Sequence, residues 1–191
     1  MRSKAERLPR EANDFYKTPP HCTRALLAVE TFPGAVWEPA CGDGAISRVL
    51  ESAGHEVVSS DLIDRGYGHT GRNFLAETRL AAWFIVTNPP YRFADEFVLH
   101  ALTLGAEKVA MLLRLAWLEG ERRRRKVFAD RPPQRVWVFS GRPTLWNGAD
   151  PNARSTGGAI SYAWFVWDAA VIDKRATKLD WLPANAGRTA A

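Results

Sequence analysis

Asn88-Pro89-Pro90-Tyr91 follows the apolar run Trp83-Phe84-Ile85-Val86 with only Thr87 between them, and its residue types suit one kind of chemistry. A planar amine conjugated to a ring is a poor nucleophile because its lone pair is delocalised. The side-chain oxygen of Asn88 and the main-chain carbonyl of Pro89 can each accept one N–H of such an amine, which favours a pyramidal nitrogen and aims its lone pair at an electrophile. The prolines stiffen the loop, because each has a restricted φ and biases its predecessor toward extended backbone. Tyr91 supplies a flat face on which a ring can stack. A plain loop of turn formers would account for the same residues without chemistry. At average residue usage, however, a four-residue match arises by chance in only about one in a thousand chains of this length.

A second constellation lies upstream, in Trp37-Glu38-Pro39-Ala40-Cys41-Gly42-Asp43-Gly44-Ala45. Its glycines let backbone approach a ligand closely, and a strand-to-helix turn of this kind sits at the carboxyl edge of a sheet. Asp61 follows about twenty residues later, at the end of the next apolar run, where an acid is suited to hydrogen-bond a ribose diol. The third glycine of the dinucleotide fingerprint is missing, which disfavours nicotinamide chemistry.

The elements that must position these residues read as alternating strands and helices. Strands are expected at 35–37, 56–60, near Phe74, and at 83–87, 108–113, 135–139 and 159–167. Segments 23–30, 44–52, 94–103 and 119–128 have helix-compatible composition. This alternation implies an α/β fold with a seven-stranded, mostly parallel, Rossmann-like sheet and helices on both faces. Residues 140–158 hold four glycines and two prolines without a helical pattern, so the last two strands are expected to form an antiparallel pair joined by a long functional loop. Trp164, Phe165 and Trp167 belong to the core. The chain reads as one catalytic domain over 1–191, with 1–13 and 174–191 as flexible tails and no separate recognition domain.

The 191 residues carry a net charge of +5, and Arg122-Arg123-Arg124-Arg125-Lys126 concentrates five positive charges in one run. A polyanionic partner suits that balance, although such a run on its own is an ordinary solvated helix face. Two cysteines, Cys22 and Cys41, and four scattered histidines show no pair spacing suited to zinc, so no metal is expected. With no leader pattern and no bilayer-length apolar run, a reducing cytoplasmic setting and no membrane partner are expected.

Together, these motifs resemble the class I S-adenosylmethionine-dependent methyltransferases, and within them the enzymes that methylate amino groups of DNA. The resemblance covers roughly residues 14–168. It implies S-adenosylmethionine as cofactor, with Glu38, Ala40, Gly42 and Gly44 toward its methionine part and Asp61 on its ribose. Asp14-Phe15-Tyr16-Lys17-Thr18-Pro19-Pro20 resembles the segment that closes over the methionine end, which implicates Thr18 and Pro19. A helix N-cap at Thr18 would explain the same residues. Asn73 stands where many relatives carry aspartate near the cofactor adenine. The order of motifs is gamma-like, and the compactness resembles phage-borne enzymes.

The resemblance makes Asn88, Pro89, Pro90 and Tyr91 the catalytic set, with Asn88 also near the cofactor. It implies N6 of adenine in DNA as substrate and base flipping for a duplex. Arg122 to Lys126 come first as phosphate contacts, followed by Arg142, Trp146 and Arg154. With no recognition segment visible, specificity is expected to be short, relaxed or supplied by a partner. Adenine in RNA ranks second and the glutamine side chain of a protein third. A non-catalytic nucleic-acid binder is the alternative from another class.

Overall fold

The computed structural model describes residues 15–147, 160–173 and 175–182. Nine strands occur among them: β1 (Tyr16–Lys17), β2 (Val36–Glu38), β3 (Val57–Ser59), β4 (Phe84–Thr87), β5 (Lys108–Arg114), β6 (Arg135–Phe139), β7 (Trp146–Asn147), β8 (Tyr162–Asp168) and β9 (Lys178–Leu182). The helices are α1 (Pro20–Leu27), α2 (Ser47–Ser52), α3 (Ala94–Thr103) and α4 (Glu121–Arg123), the last continuing into a π-helical turn at Arg124–Phe128.

Seven strands form one sheet in the order β3-β2-β4-β5-β8-β6-β9. Pairings β3–β2, β2–β4, β4–β5 and β6–β9 are parallel, whereas β8 runs antiparallel to both β5 and β6. The α/β expectation therefore holds, including the antiparallel β6–β8 pair.

Two strand assignments change. The segment at Phe74 is a short 3₁₀ turn, Phe74–Ala76, opened by Asn73, whose side-chain oxygen accepts from the Leu75 amide at 3.1 Å. One aromatic in a stretch of small and polar residues buries Phe74 without needing a ladder. The seventh strand is instead β9, inside the segment assigned to a flexible tail. It pairs with β6 over five residues, from Arg135↔Lys178 to Phe139↔Leu182. Its alternation is masked because Leu179 and Trp181 face outward on an edge strand and remain exposed.

The alternation of side chains across the sheet divides the interior into two cores. On one face Trp37, Ile85, Val109, Met111, Leu113, Phe165 and Trp167 pack with Phe97, Val98 and Ala101 of α3 and with Trp117 and Val127. On the other, Val36, Phe84, Val86, Ala110, Leu112, Trp164 and Val166 pack with Ala25 and Leu26 of α1 and with Ile46 and Leu50. Burying each large aliphatic or aromatic side chain contributes about 1.5–3 kcal/mol, so this two-sided burial explains why β4, β5 and β8 read as continuous apolar runs. Trp164, Phe165 and Trp167 lie in these cores as expected.

Candidate active site

Strand β2 leads to β3 on one side of it, and β4 then pairs on its other side, so the chain reverses direction across the sheet at β2. Ligand crevices in open α/β sheets form outside the carboxyl ends of strands at such switch points. Here these ends carry Glu38 at the end of β2, Asp61 just beyond β3 and Asn88 just beyond β4. All three line a cleft of about 310 Å³, together with Tyr16, Lys17, Thr18, Ala40, Asn73 and Pro90.

Asp61 braces the glycine turn. One carboxylate oxygen accepts from the Gly42 amide and the other from the Ile63 amide, both at 2.8 Å. Each oxygen keeps a free lone pair for a ligand hydroxyl. Gly42 has φ +56° and Gly44 φ +83°. A Cβ on Gly42 would lie 2.3 Å from the Phe15 ring, and one on Gly44 would lie 2.6 Å from Tyr67. The close approach these glycines permit is thus by Phe15 and Tyr67, and neither glycine lines the cleft. Asp61→Ala removes the brace and a ligand acceptor together. A charged hydrogen bond contributes about 1.5–3 kcal/mol, so cofactor affinity is expected to fall by about 10–100-fold, read by calorimetry. Unchanged affinity would return Asp61 to a purely structural role.

Glu38 is buried, and its carboxylate accepts from both the amide and the hydroxyl of Ser47, the amide at 2.7 Å. Ser47 in turn meets Ser59 at 2.7 Å. Burial raises the Glu38 carboxyl well above its ordinary value, with the Ser47 bonds opposing and Asp61 and Asp43 reinforcing. A cationic group entering the cleft would relieve that burial of charge. Burial likewise pushes the Cys41 thiol up to about 12, which keeps this cleft-lining residue protonated and unreactive.

Asn88 is oriented by two acceptors. Its amide nitrogen donates to the Tyr16 carbonyl at 3.0 Å and to the Thr18 hydroxyl at 3.1 Å. Thr18 does not cap α1, whose N-cap is Pro19 with no side-chain bond. With the nitrogen committed, the Asn88 side-chain oxygen is left buried and without a hydrogen bond among the described residues. It is positioned to accept an N–H. Pro89 and Pro19 are buried and do not line the cleft.

Tyr91 also lies outside the cleft lining. Its ring stacks on Tyr16, with centroids 5.8 Å apart at 27°, and meets Tyr162 at 5.9 Å. The Arg114 guanidinium sits 4.9 Å from its centroid. Tyr91 thus supports Tyr16, and it is Tyr16 that reaches the cleft.

The basic run divides. Arg123 turns inward, donating to Asp95 at 2.9 Å and to the Trp117 carbonyl at 2.7 Å, with its guanidinium over the Trp117 ring. Those bonds tie α4 to α3 and engage Arg123 within the protein. Arg122, Arg124, Arg125 and Lys126 are exposed; Arg122 reaches Glu96 at 3.6 Å, and Arg124 and Arg125 reach Glu121 at 3.9 and 3.7 Å. Such surface pairs are weak and leave these cations available to phosphate. Changing Arg122, Arg124 and Arg125 together to glutamine is expected to lower the slope of log affinity against log salt by up to about 0.7 per residue on single-stranded nucleic acid. An unchanged slope would make the run a solvated face. Arg142 is exposed after β6, and Trp146 lies in β7, which pairs antiparallel with β1 beside the cleft. Arg154 lies outside the described residues.

Sequence reading missed several residues at the site. Lys17 bridges to Asp43 at 2.6 Å and so fastens β1 across the glycine turn. The Arg65 guanidinium lies 4.1 Å from the centroid of the Phe15 ring. Leu62, Phe93 and Phe97 supply apolar lining. An acid between two turn glycines was the one available hint, at Asp43. Among the described residues no His, Cys, Asp and Glu group could hold a metal ion, and no helix is long and apolar enough to cross a membrane.

The sheet has a Rossmann-like α/β fold, which solved methyltransferase structures share. The inferred modification subunit of a type I restriction enzyme from Vibrio vulnificus YJ016 is 12% identical, with TM-score 0.58, covering 88% of this chain and 47% of that one. This chain therefore spans about half of that subunit. An inferred RNA methyltransferase from Pyrococcus horikoshii is 12% identical, with TM-score 0.57, covering 82% and 87%. A dimethyladenosine transferase from Plasmodium falciparum is 12% identical, with TM-score 0.53, covering 80% and 61%. No protein-family model matches the chain, and no curated protein matches its sequence.

Proposed function

We propose that the protein transfers a methyl group from S-adenosylmethionine to the exocyclic N6 of adenine in DNA. The observation that carries this reading is Asn88: its nitrogen is held by Tyr16 and Thr18, and its oxygen is buried, without a hydrogen bond among the described residues, on a residue that lines the cleft at the switch point. That oxygen would accept one amine N–H and localise the nitrogen lone pair as the carbon–nitrogen bond forms. The Pro89 carbonyl is assigned the second N–H. The methylated amine then carries a proton that must leave to solvent or to a nearby acceptor.

The residues lining the cleft fit the cofactor. Asp61 would accept from its ribose hydroxyls, Glu38 would stand opposite its cationic methionine portion, and Leu62, Phe74 and Phe93 offer apolar surface for its adenine. When bound, S-adenosylmethionine would supply an electrophilic methyl group, its methyl carbon–sulfur bond breaking to leave S-adenosylhomocysteine. Asn73 is available to the adenine edge. In this reading the chain acts as one catalytic domain of short or relaxed sequence specificity, and adenine in a duplex would flip out at a cost of a few kcal/mol.

Adenine in RNA is the second reading, favoured by the likeness to a structure named as an RNA methyltransferase. One experiment separates the two: transfer of labelled methyl to duplex DNA, single-stranded DNA and total RNA, followed by nucleoside mass spectrometry. Label in N6-methyldeoxyadenosine supports the first reading, and label in RNA adenosine replaces it with the second. Cofactor binding with no transfer to any nucleic acid would overturn both.

A further inference from the structure

Buried side-chain polar atoms without a hydrogen bond are few in folded proteins and call for a physical reason. Among the described residues, four such atoms lie at or beside the catalytic loop: Thr87 Oγ1, Asn88 Oδ1, Tyr91 Oη and Arg114 Nε. Arg114 ends β5, opposite Tyr162 of β8. It is partly buried, over the Tyr91 ring, yet among the described residues no carboxylate lies within salt-bridge distance of it. Several other partly buried cations are compensated: Lys108 and Arg135 share Glu30 and Asp168, Arg123 holds Asp95, and Arg72 holds Glu77; Arg65, over the Phe15 ring, shares with Arg114 the lack of a carboxylate among the described residues. An uncompensated guanidinium in a half-buried setting is costly, and an anionic ligand would offset that cost.

We propose that Arg114, framed by Tyr16, Tyr91 and Tyr162, is the subsite for the phosphodiester adjoining the base presented to Asn88. This inference rests on the nucleic-acid reading above. Neither Arg114 nor Tyr162 lines the cofactor cleft, whereas Tyr16, stacked on Tyr91, does, so the cluster adjoins the cleft through Tyr16 and stands outside its lining. The sugar and phosphate of a nucleotide whose amine meets the loop belong outside that lining, because the methyl donor would fill the cleft. A guanidinium offers forked donors that match two phosphate oxygens. The phenols of Tyr91 and Tyr162 stay protonated, since burial raises both, so neither sets a negative charge beside Arg114. Arg114 thus serves as a positioning residue that fixes the nucleotide while Asn88 acts on the amine.

The test measures binding of a thymidine oligonucleotide carrying one deoxyadenosine, with saturating S-adenosylhomocysteine, across a salt series. Arg114→Gln should weaken binding by about 10-fold and lower the salt slope by about 0.7, with S-adenosylhomocysteine affinity unchanged. Arg114→Lys should keep the wild-type slope. A folded Arg114→Gln protein with the wild-type slope overturns the subsite. Should glutamine prevent folding, wild-type protein is assayed with a neutral methylphosphonate placed at each linkage flanking the deoxyadenosine. About 10-fold weaker binding at one linkage supports the proposal, and equal binding at both overturns it. Wild-type protein that binds no oligonucleotide overturns the methyl-transfer reading on DNA and the subsite together, whereas binding and methylation without any phosphate effect overturns the subsite alone.

Discussion

Replacing Asn88 with alanine is expected to lower kcat by about 10²–10³-fold, the usual cost of removing one preorganised group at developing charge. In the proposed reaction the side-chain oxygen is the part that would meet the reacting amine, and its hydrogen bond would strengthen as the nitrogen gains positive character. The amide nitrogen has a separate task, holding the Tyr16 carbonyl and the Thr18 hydroxyl. Alanine removes both, so loosening of β1 should add a small loss of cofactor affinity, because Tyr16 and Thr18 line the cleft. Asn88→Asp separates the two tasks. It retains an oxygen acceptor but sets a carboxylate against the Tyr16 carbonyl, so its defect should appear in cofactor binding as well as turnover. Single-turnover methyl transfer and calorimetry on the two variants read these quantities, and wild-type single-turnover rates for Asn88→Ala would end the mechanism.

Glu30→Ala is expected to destabilise the fold by about 3–5 kcal/mol, the cost of leaving buried charge without its partner. Glu30 is 5% exposed and receives Arg135, Lys108 at 3.2 Å and the Trp137 indole at 2.8 Å. Asp168 closes the network, 2.6 Å from Arg135 and 3.3 Å from Lys108. It joins the end of α1 to β5, β6 and β8, at the edge of the sheet opposite the cleft. Removing Glu30 leaves two cations sharing one carboxylate. Against a net stability of about 5–15 kcal/mol, that loss is large, and urea unfolding of Glu30→Ala and Glu30→Gln measures it. Burial raises the Glu30 carboxyl, but bonds from Arg135 and Trp137 and the charges of Arg135 and Lys108 outweigh it and hold the group below its ordinary value. Asp168 is depressed likewise, burial being overcome by Arg135, the Ala170 amide and Lys108. A depressed carboxyl contributes stability above its unfolded value and loses it as pH falls through the folded one. Wild-type stability should therefore decline as pH drops below about 4–5, with a shallower decline in Glu30→Gln. A pH series in which both proteins lose stability equally would remove Glu30 from that account.

Much of the candidate cleft was legible because its parts are local. Asn88 follows β4 within the chain, Glu38 ends β2 and Asp61 follows β3, so apolar runs with polar residues at their ends gave both the elements and the edge. Thr18 was named, but its partner was not: the Thr18–Asn88 bond joins residues seventy positions apart, and no spacing rule reaches that far. Arg123 shows the opposite error. In sequence it is one of five equal charges, whereas in the fold it alone of the four arginines turns toward Asp95 and Trp117. Tyr91 was read as a flat face for a stacking ring, and Tyr16, Tyr162 and Arg114 already occupy its surroundings.

By itself the sequence determined the α/β class, the carboxyl-edge cleft and the chemical types that line it, because hydrophobic periodicity and turn residues act over a few positions. Only the tertiary structure decided that β9 completes the sheet, that the glycines admit Phe15 and Tyr67, and that Arg114 stands half-buried without a carboxylate among the described residues. Those outcomes depend on which distant side chains share one small volume, where burial and charge compensation weigh groups that the linear order keeps apart.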